Sequence, residues 1–250
     1  MTQYQTGADA LAALNASSDG GSSNSFTKLK SGGSFNVRVM SAADLSVYYG
    51  YSIYKEIDTF VAEVPCTLND KGFPKSNLTV WDKASDHYSK LAQAETNQDK
   101  QKELKVQASR YRGAQRFVLG FIDLDTGTPI VIDFSHKQAL GVHAVIKKNK
   151  AKLGKKAFEL EKTGSGKDTV VTLSVLDLDD LDDKQQANFA KWDGKEFDKS
   201  LFEGLLFVSD EAKQVEDLTK AGFDVSLIGY SVAETGEDTP TEESGEPFDF

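Results

Sequence analysis

Residues 116–123 (RFVLGFID) and 129–134 (PIVIDF) are dense in β-branched and aromatic side chains, and Asp125–Thr126–Gly127 lies between them. Two strand-type runs joined by a short Asp/Gly turn read as a hairpin, and a hairpin this apolar must be covered by more sheet or by helices. Ser135 follows at once, with Gln138 three residues later, which is a capping box opening a helix. Ala139, Val142, His143 and Ile146 fall on one face of that helix. Phe35, Val37 and Val39 alternate with Ser34, Asn36 and Arg38, the period of a half-buried strand. Residues 47–64 read as one bent strand or a strand pair, with Gly50 where a bulge or bend would sit. Residues 65–78 form a loop rich in Pro, Gly and Asn, and 79–108 are polar and helical in pattern, with no Pro or Gly to interrupt them. Residues 157–162 and 169–175 make a second hairpin across TGSGKD. Helices follow at 181–192 and 209–221, the latter with Gly222 just past its end. A helix is expected at 5–17, before the linker SSDGGSSNS.

About six strands with one helix between strand pairs predict a mainly β chain with added helices (α+β), built on a Greek-key barrel of the OB type. The division is an N-terminal arm and linker (1–25), the barrel body (26–176), a helical extension packed on it (177–230) and an acidic, disordered tail (231–250).

Charge is segregated along the chain. The net charge is -10, yet residues 1–167 hold 23 Lys+Arg against 17 Asp+Glu, and residues 168–250 hold 6 against 22. A basic body with an acidic tail is the expectation. Residues 234–250 carry seven acidic residues, no basic ones and two prolines, a composition that does not form a core. Cys66 is the only cysteine, which excludes a disulfide framework and zinc sites built on several cysteines and fits a reducing, cytoplasmic setting. No apolar run approaches the ~20 residues that span a bilayer. No Lys or Arg precedes Lys28, so no secretory signal is read at the N-terminus.

Basic residues are interleaved with aromatics. Residues 147–156 (KKNKAKLGKK) supply Lys147, Lys148, Lys150, Lys152, Lys155 and Lys156 with no acid. Arg110, Arg112 and Arg116 flank Tyr111 and Phe117, and Tyr48, Tyr49, Tyr51 and Tyr54 lie within seven residues. Single-stranded nucleic acid needs this mixture: cations for phosphates, and flat rings on which exposed bases stack for ~1–3 kcal/mol each. Alternation along a strand leaves only part of the tyrosines on a wet face. Phe248, Asp249 and Phe250 end the chain as an aromatic anchor on an acidic segment, a form that docks into partner pockets.

Catalytic motifs fall short. Asp125–Thr126–Gly127 occurs once, where aspartic-protease chemistry needs a pair. Gly164–Ser165–Gly166–Lys167 lacks the first glycine and the final Ser/Thr of a phosphate loop. Residues 176–183 (LDLDDLDD) place Leu181 and Asp182 where a calcium loop needs a ligand and Gly. His87, His136, His143 and Cys66 have no metal-ligand spacing. No cofactor is expected.

The stretches FTKLKSGGSFNVRVM (26–40), SRYRGAQRFVLGFIDLDTGTPIVIDFSHKQALGVHAVIKK (109–148) and AFELEKTGSGKDTVVTLSVL (157–176), in this order before an acidic tail, resemble the phage single-stranded-DNA-binding proteins of the T-even type and their relatives in phages of Gram-positive hosts. The ending PFDF resembles the acidic, Phe-terminated tails of single-strand binders that dock replication proteins. The resemblance implies a non-enzymatic, sequence-tolerant protein acting in DNA replication, recombination and repair. The T-even family's zinc, held by three cysteines and a histidine, has no counterpart here. Two alternatives stand beside this reading. One is a recombination mediator or annealing protein; the other is a metal-dependent nuclease using Asp123, Asp125 and Asp133.

Overall fold

The computed structural model describes residues 25–231. The expected helix at 5–17, nearly all of the arm, and the tail with Phe248, Asp249 and Phe250 lie outside the described residues. The chain is α+β. Its strands are β1 (Gly33–Arg38), β2 (Leu45–Ile53), β3 (Ile57–Ala62), β4 (Thr67–Leu68) and β5 (Pro74–Ser76). The helices α1 (Val80–Ala94) and α2 (Gln98–Tyr111) follow, then β6 (Ala114–Asp123), β7 (Thr128–Ser135) and α3 (His136–Lys148). The last part holds β8 (Ala157–Thr163), β9 (Val170–Leu176), α4 (Asp183–Ala190), β10 (Phe207–Ser209) and α5 (Glu211–Lys220). Among the described residues no helix is long and apolar enough to cross a membrane.

The two hairpins stand where the apolar runs place them. β6 pairs with β7 from Arg116↔Ser135 to Asp123↔Thr128, and β8 pairs with β9 from Ala157↔Leu176 to Thr163↔Val170. Asp123 organises the first turn: its carboxylate accepts from Asp125 N at 3.0 Å and from Thr126 Oγ1 at 2.8 Å. Asp125 is exposed and leaves that turn to Asp123. The Ser135–Gln138 capping box starts α3. Ala139, Val142 and Ile146 are buried, while His143 stays half-buried with Nε2 3.0 Å from the Ala42 carbonyl oxygen.

β6 is the central strand. One edge carries β7 over the strand's length; the other carries β2 against residues 114–119 and β1 against 122–123. β1 continues outward to β8 and β9, and β2 to β3 and β10, the last pair parallel. The sheet is therefore mixed and open. The pairing path ends at β10 and β9, and no hydrogen-bonded ladder joins β7 to β9. That seam is why the expected barrel is not closed. Segment 26–32 crosses from β7 to β8, with Thr27 N donating to the Val131 carbonyl and Gly32 N to that of Lys162.

Both faces of β6 are covered. Leu119 and Phe121 enter a core with Val37, Ile132, Phe134 and Phe158, closed by the apolar face of α3. Val118 and Ile122 pack with Val131 and Phe197 on the other face. Gly120 permits this: a Cβ there would stand 2.4 Å from the Phe197 ring. Arg38, expected on a wet face, is buried because Asp193 and the Phe189 carbonyl hold its guanidinium over the Phe189 ring. Hydrogen bonds and an aromatic face offset the desolvation of that charge.

The helical stretch at 79–108 forms two helices. Glu95 leaves α1 in extended conformation, and the Asn97 side chain accepts from Asp99 N and Lys100 N to begin α2. A capping asparagine breaks the helix without Pro or Gly. α1 and α5 pack on β2 and β3 around Trp81, Tyr51, Phe60, Leu218 and Phe223.

Candidate nucleic-acid interface

A groove of about 580 Å³ opens between the β4–β5 loop and the start of β6. Asn69 shapes the loop side. Its Oδ1 accepts from Lys71 N at 2.9 Å and Phe73 N at 3.1 Å, while its own N donates to the Phe73 carbonyl at 2.8 Å. This local turn holds Phe73 at the rim, 47% exposed. Arg112 faces it from the strand side, its guanidinium carbon 5.7 Å from the Phe73 ring centroid. Tyr49, Asp70, Lys71 and His136 also line it. Gly113 lets the wall close, since a Cβ there would meet Tyr49 Cε1 at 2.3 Å and Tyr51 Cε1 at 2.7 Å. Burial raises the Tyr49 phenol, with the Asp82 charge adding to the effect, so it stays a neutral donor. Its buried oxygen has no hydrogen-bond partner.

The tyrosines and arginines singled out by the sequence divide among several environments. Tyr51 and Tyr111 are 2% and 3% exposed and belong to the core, where they offer no face to a base. Tyr51 Oη donates to Asp82 Oδ2 at 2.9 Å, and burial pushes its pKa far up. Tyr48 is half-buried, stacks on Phe26 and donates to Asp133 Oδ1 at 3.1 Å. Burial alone would lower the Arg116 pKa. Its hydrogen bonds and ion pair with Asp133 outweigh that and raise it, so the cation is locked and its charge balanced. Arg110 is paired with Glu56. Arg112 is exposed and makes no ion pair among the described residues. Tyr54, 85% exposed at the β2–β3 turn, carries Lys55 over its ring at 5.3 Å.

The lysine run lies elsewhere. Lys147 and Lys148 occupy the last turn of α3, where cations favour the carbonyl end of the helix. Lys150, Lys152 and Lys155 are exposed beyond it, and Lys156 pairs with Asp177. His136, at the groove, is the first residue of α3, so Lys148 is about 18 Å away along the helix at 1.5 Å per residue. The fold does not bring the run into the groove.

A second cavity, of about 420 Å³, lies beside the β7 edge, and its lining includes Phe26, Lys28, Lys30, Lys162 and the Arg116–Asp133 pair. Lys162 Nζ donates to the Leu29 carbonyl at 3.2 Å. Phe73 and Lys71 carry no signal in the sequence reading, His136 enters it only as a histidine without metal-ligand spacing, and of this cavity only Arg116 belongs to the basic–aromatic set. The nearest signals were the alternating Lys28 and Lys30, and an aromatic residue in a Pro/Gly/Asn loop.

Asp123 caps its own turn, Asp133 is held by Arg116, and Asp125 accepts from Gln185 Nε2 at 2.6 Å. These three carboxylates form no metal-holding cluster, and among the described residues no group of three or more His, Cys, Asp or Glu is placed to hold a metal ion.

No protein-family model matches the chain, and neither the curated proteins nor the solved structures give a significant match.

Proposed function

We propose that this chain is a non-enzymatic single-stranded-DNA-binding protein of low sequence preference, serving DNA replication, recombination and repair. In this reading β1, β6, β7, β8 and β9 act as an open OB-type body, with the seam between β7 and β9 filled by α3 and residues 26–32. The carrying observation is the groove itself, where Phe73 and Tyr49 supply ring faces beside Arg112, Lys71 and His136. Rings next to Arg112 and Lys71, which make no ion pair among the described residues, suit unstacked bases on a phosphate backbone, because every base has a π-face. The lysines Lys28, Lys30 and Lys162 extend the positive lining along β7. The likeness to phage single-strand binders in residues 26–40, 109–148 and 157–176 supports the same reading.

The test is a titration of single-stranded DNA, duplex DNA and single-stranded RNA over a range of salt. If about four cations meet phosphates, log K falls with log salt at a slope of about -3 on single strands. Equal affinity for duplex and single-stranded DNA overturns the proposal; tighter binding of RNA moves the substrate to RNA.

A further inference from the structure

Residues 26–32 bridge the seam between β7 and β9, anchored to β7 through Thr27 and to β8 through Gly32. Between the anchors Leu29 turns into the core, and Lys28 and Lys30 on either side of it stay exposed. Lys162 comes to the same place from β8, its Nζ donating to the Leu29 carbonyl at 3.2 Å. The cavity of about 420 Å³ lies against this bridge. Lys28, Lys30 and Lys162 make no ion pair among the described residues, while Arg116 and Asp133 at the same wall neutralise each other. Three positive charges of the lining are therefore left without a carboxylate.

The rest of the wall is not built for a bare anion. Leu29, Ile132, Phe134 and Val171 give the cavity an apolar side, and Phe26 adds a half-buried ring. That ring is held by stacking on Tyr48, with centroids 6.3 Å apart. Gln138 and Thr27 supply hydrogen-bonding groups. Gln138 Oε1 accepts from Ser135 N at 3.0 Å, which leaves the amide nitrogen as a donor, and the Thr27 hydroxyl has no partner among the described residues. The volume lies in the range of about 300–1,000 Å³ typical of small-molecule sites. A phosphate alone gains nothing from the apolar side, and an acyl chain has no use for the amide and the hydroxyl. A base joined to a phosphate uses all three kinds of wall.

The cavity and the groove flank one helix end. His136, the first residue of α3, lines the groove, and Gln138, two residues later, lines the cavity. Gln115 and Arg116, neighbours in β6, divide in the same way. We propose that the cavity seats one unstacked nucleotide of the strand that also lies in the groove, its base against the apolar side and Phe26 and its phosphate on Lys28 and Lys30; this rests on the single-strand-binding reading above. The strand then passes the first turn of α3, and a helix is only about 10–12 Å across with its side chains. Every base has a carbonyl oxygen or ring nitrogen that accepts from the Gln138 amide, so the seat is sequence-tolerant.

The experiment uses the full chain and a short oligothymidine carrying one 5-iodouracil, placed at each position in turn. Irradiation joins that base to an aromatic ring it touches, and mass spectrometry of the digest finds the peptide. Two sets of crosslinks are expected from different label positions, one on the peptides of Phe73 or Tyr49 and one on the peptide of Phe26. Lys28→Ala with Lys30→Ala abolishes the second set, keeps the first, and flattens the salt slope by about 1.4 for two lost phosphate contacts. Both lysines are exposed, so the variant melts like the parent, and a thermal melt checks this. Crosslinks in the groove alone overturn the nucleotide seat and leave single-strand binding standing; a flattened slope beside them makes the lysines a backbone contact only. An oligomer that does not bind at all overturns both.

Discussion

Arg112 lies over the ring of Phe73, its guanidinium carbon 5.7 Å from the centroid, and the pair lines both the large groove and a smaller cavity behind it. The contact joins two segments far apart in sequence, the turn held by Asn69 and the residues that lead into β6. The guanidinium makes no ion pair among the described residues, in contrast to Arg110 on Glu56 and Arg116 on Asp133. A cation stacked on a ring remains available to a phosphate.

Charge and stacking separate by mutation at this pair. Arg112→Ala with Lys71→Ala removes two candidate phosphate contacts, so the salt slope flattens by about 1.4 on single strands. Phe73→Ala removes a stacking face, weakening binding by ~1–3 kcal/mol with the slope unchanged, since stacking releases no counterions. Salt titrations of the three proteins side by side check both. A slope change in Phe73→Ala would assign that ring to positioning cations rather than to stacking.

Core tyrosines behave differently. Tyr111→Ala leaves a cavity against Trp81, Tyr88 and Phe223, at a cost of ~3–5 kcal/mol by analogy with other buried aromatics. Tyr51→Phe keeps the ring and removes the donor to Asp82, costing ~1.5–3 kcal/mol for a bond to a charged group. Denaturant melts measure both losses. Tyr54→Ala is expected to melt like the parent, because its ring is exposed.

The hairpins and the start of α3 were legible because local chemistry decides them: an Asp–Gly turn, strand-type residues on both sides, a Ser135–Gln138 box. The tyrosine environments were not, because they depend on which elements arrive from elsewhere. α1 covers the face of β2 that holds Tyr51, and Tyr49 on the same face packs partly on that core and partly lines the groove. Neither α1's approach nor the pairing of β2 with β6 leaves a mark in residues 47–54. Strand β10 was missed for the same reason, since three residues become a strand only by lying parallel to β3. The groove itself joins Phe73, Arg112 and His136, and no local pattern links three such positions.

Cys66 reports on the cavity beside Tyr49 and Tyr51. Its Sγ is 3.8 Å from Tyr51 Oη, and burial, with the Asp82 charge adding to it, pushes the thiol up to about 11. An unfolded cysteine titrates near about 8.5. The folded protein therefore reacts slowly with iodoacetamide at pH 8, and the urea-unfolded chain reacts quickly. Because the folded value is the higher one, this group's contribution to stability is complete below about pH 8.5 and declines as pH rises toward 11. Equal rates for folded and unfolded protein at pH 8 would contradict the burial.

The lysine run at the far end of α3 predicts a dependence on strand length. Lys150→Ala with Lys152→Ala leaves unchanged the affinity for oligomers that fill only the groove. Affinity falls for oligomers long enough to reach past Lys148, about 18 Å along α3 from His136. Titrating a series of lengths against both proteins locates the break. An equal loss at every length would place the run inside the primary site.

The acidic C-terminal segment predicts competition with DNA. Residues 234–250 carry seven negative charges and no positive one, whereas Lys28, Lys30 and Lys162 line one basic cavity and Lys71 and Arg112 the other. A tethered segment reaches an effective concentration on the order of millimolar near its own body. It should therefore compete with a DNA backbone, most strongly at low salt, where the Debye length is long. Deleting residues 234–250 should tighten single-strand binding at low salt, and the gain should shrink as salt rises. Anchor and charge separate by mutation. Phe248→Ala with Phe250→Ala keeps every charge, so DNA affinity should hold while capture of replication partners is lost. Neutralising Glu237, Asp238, Glu242 and Glu243 should raise DNA affinity and spare the anchor. Unchanged or weaker DNA binding by the truncated chain at low salt would remove the competition and leave the segment as a partner hook alone.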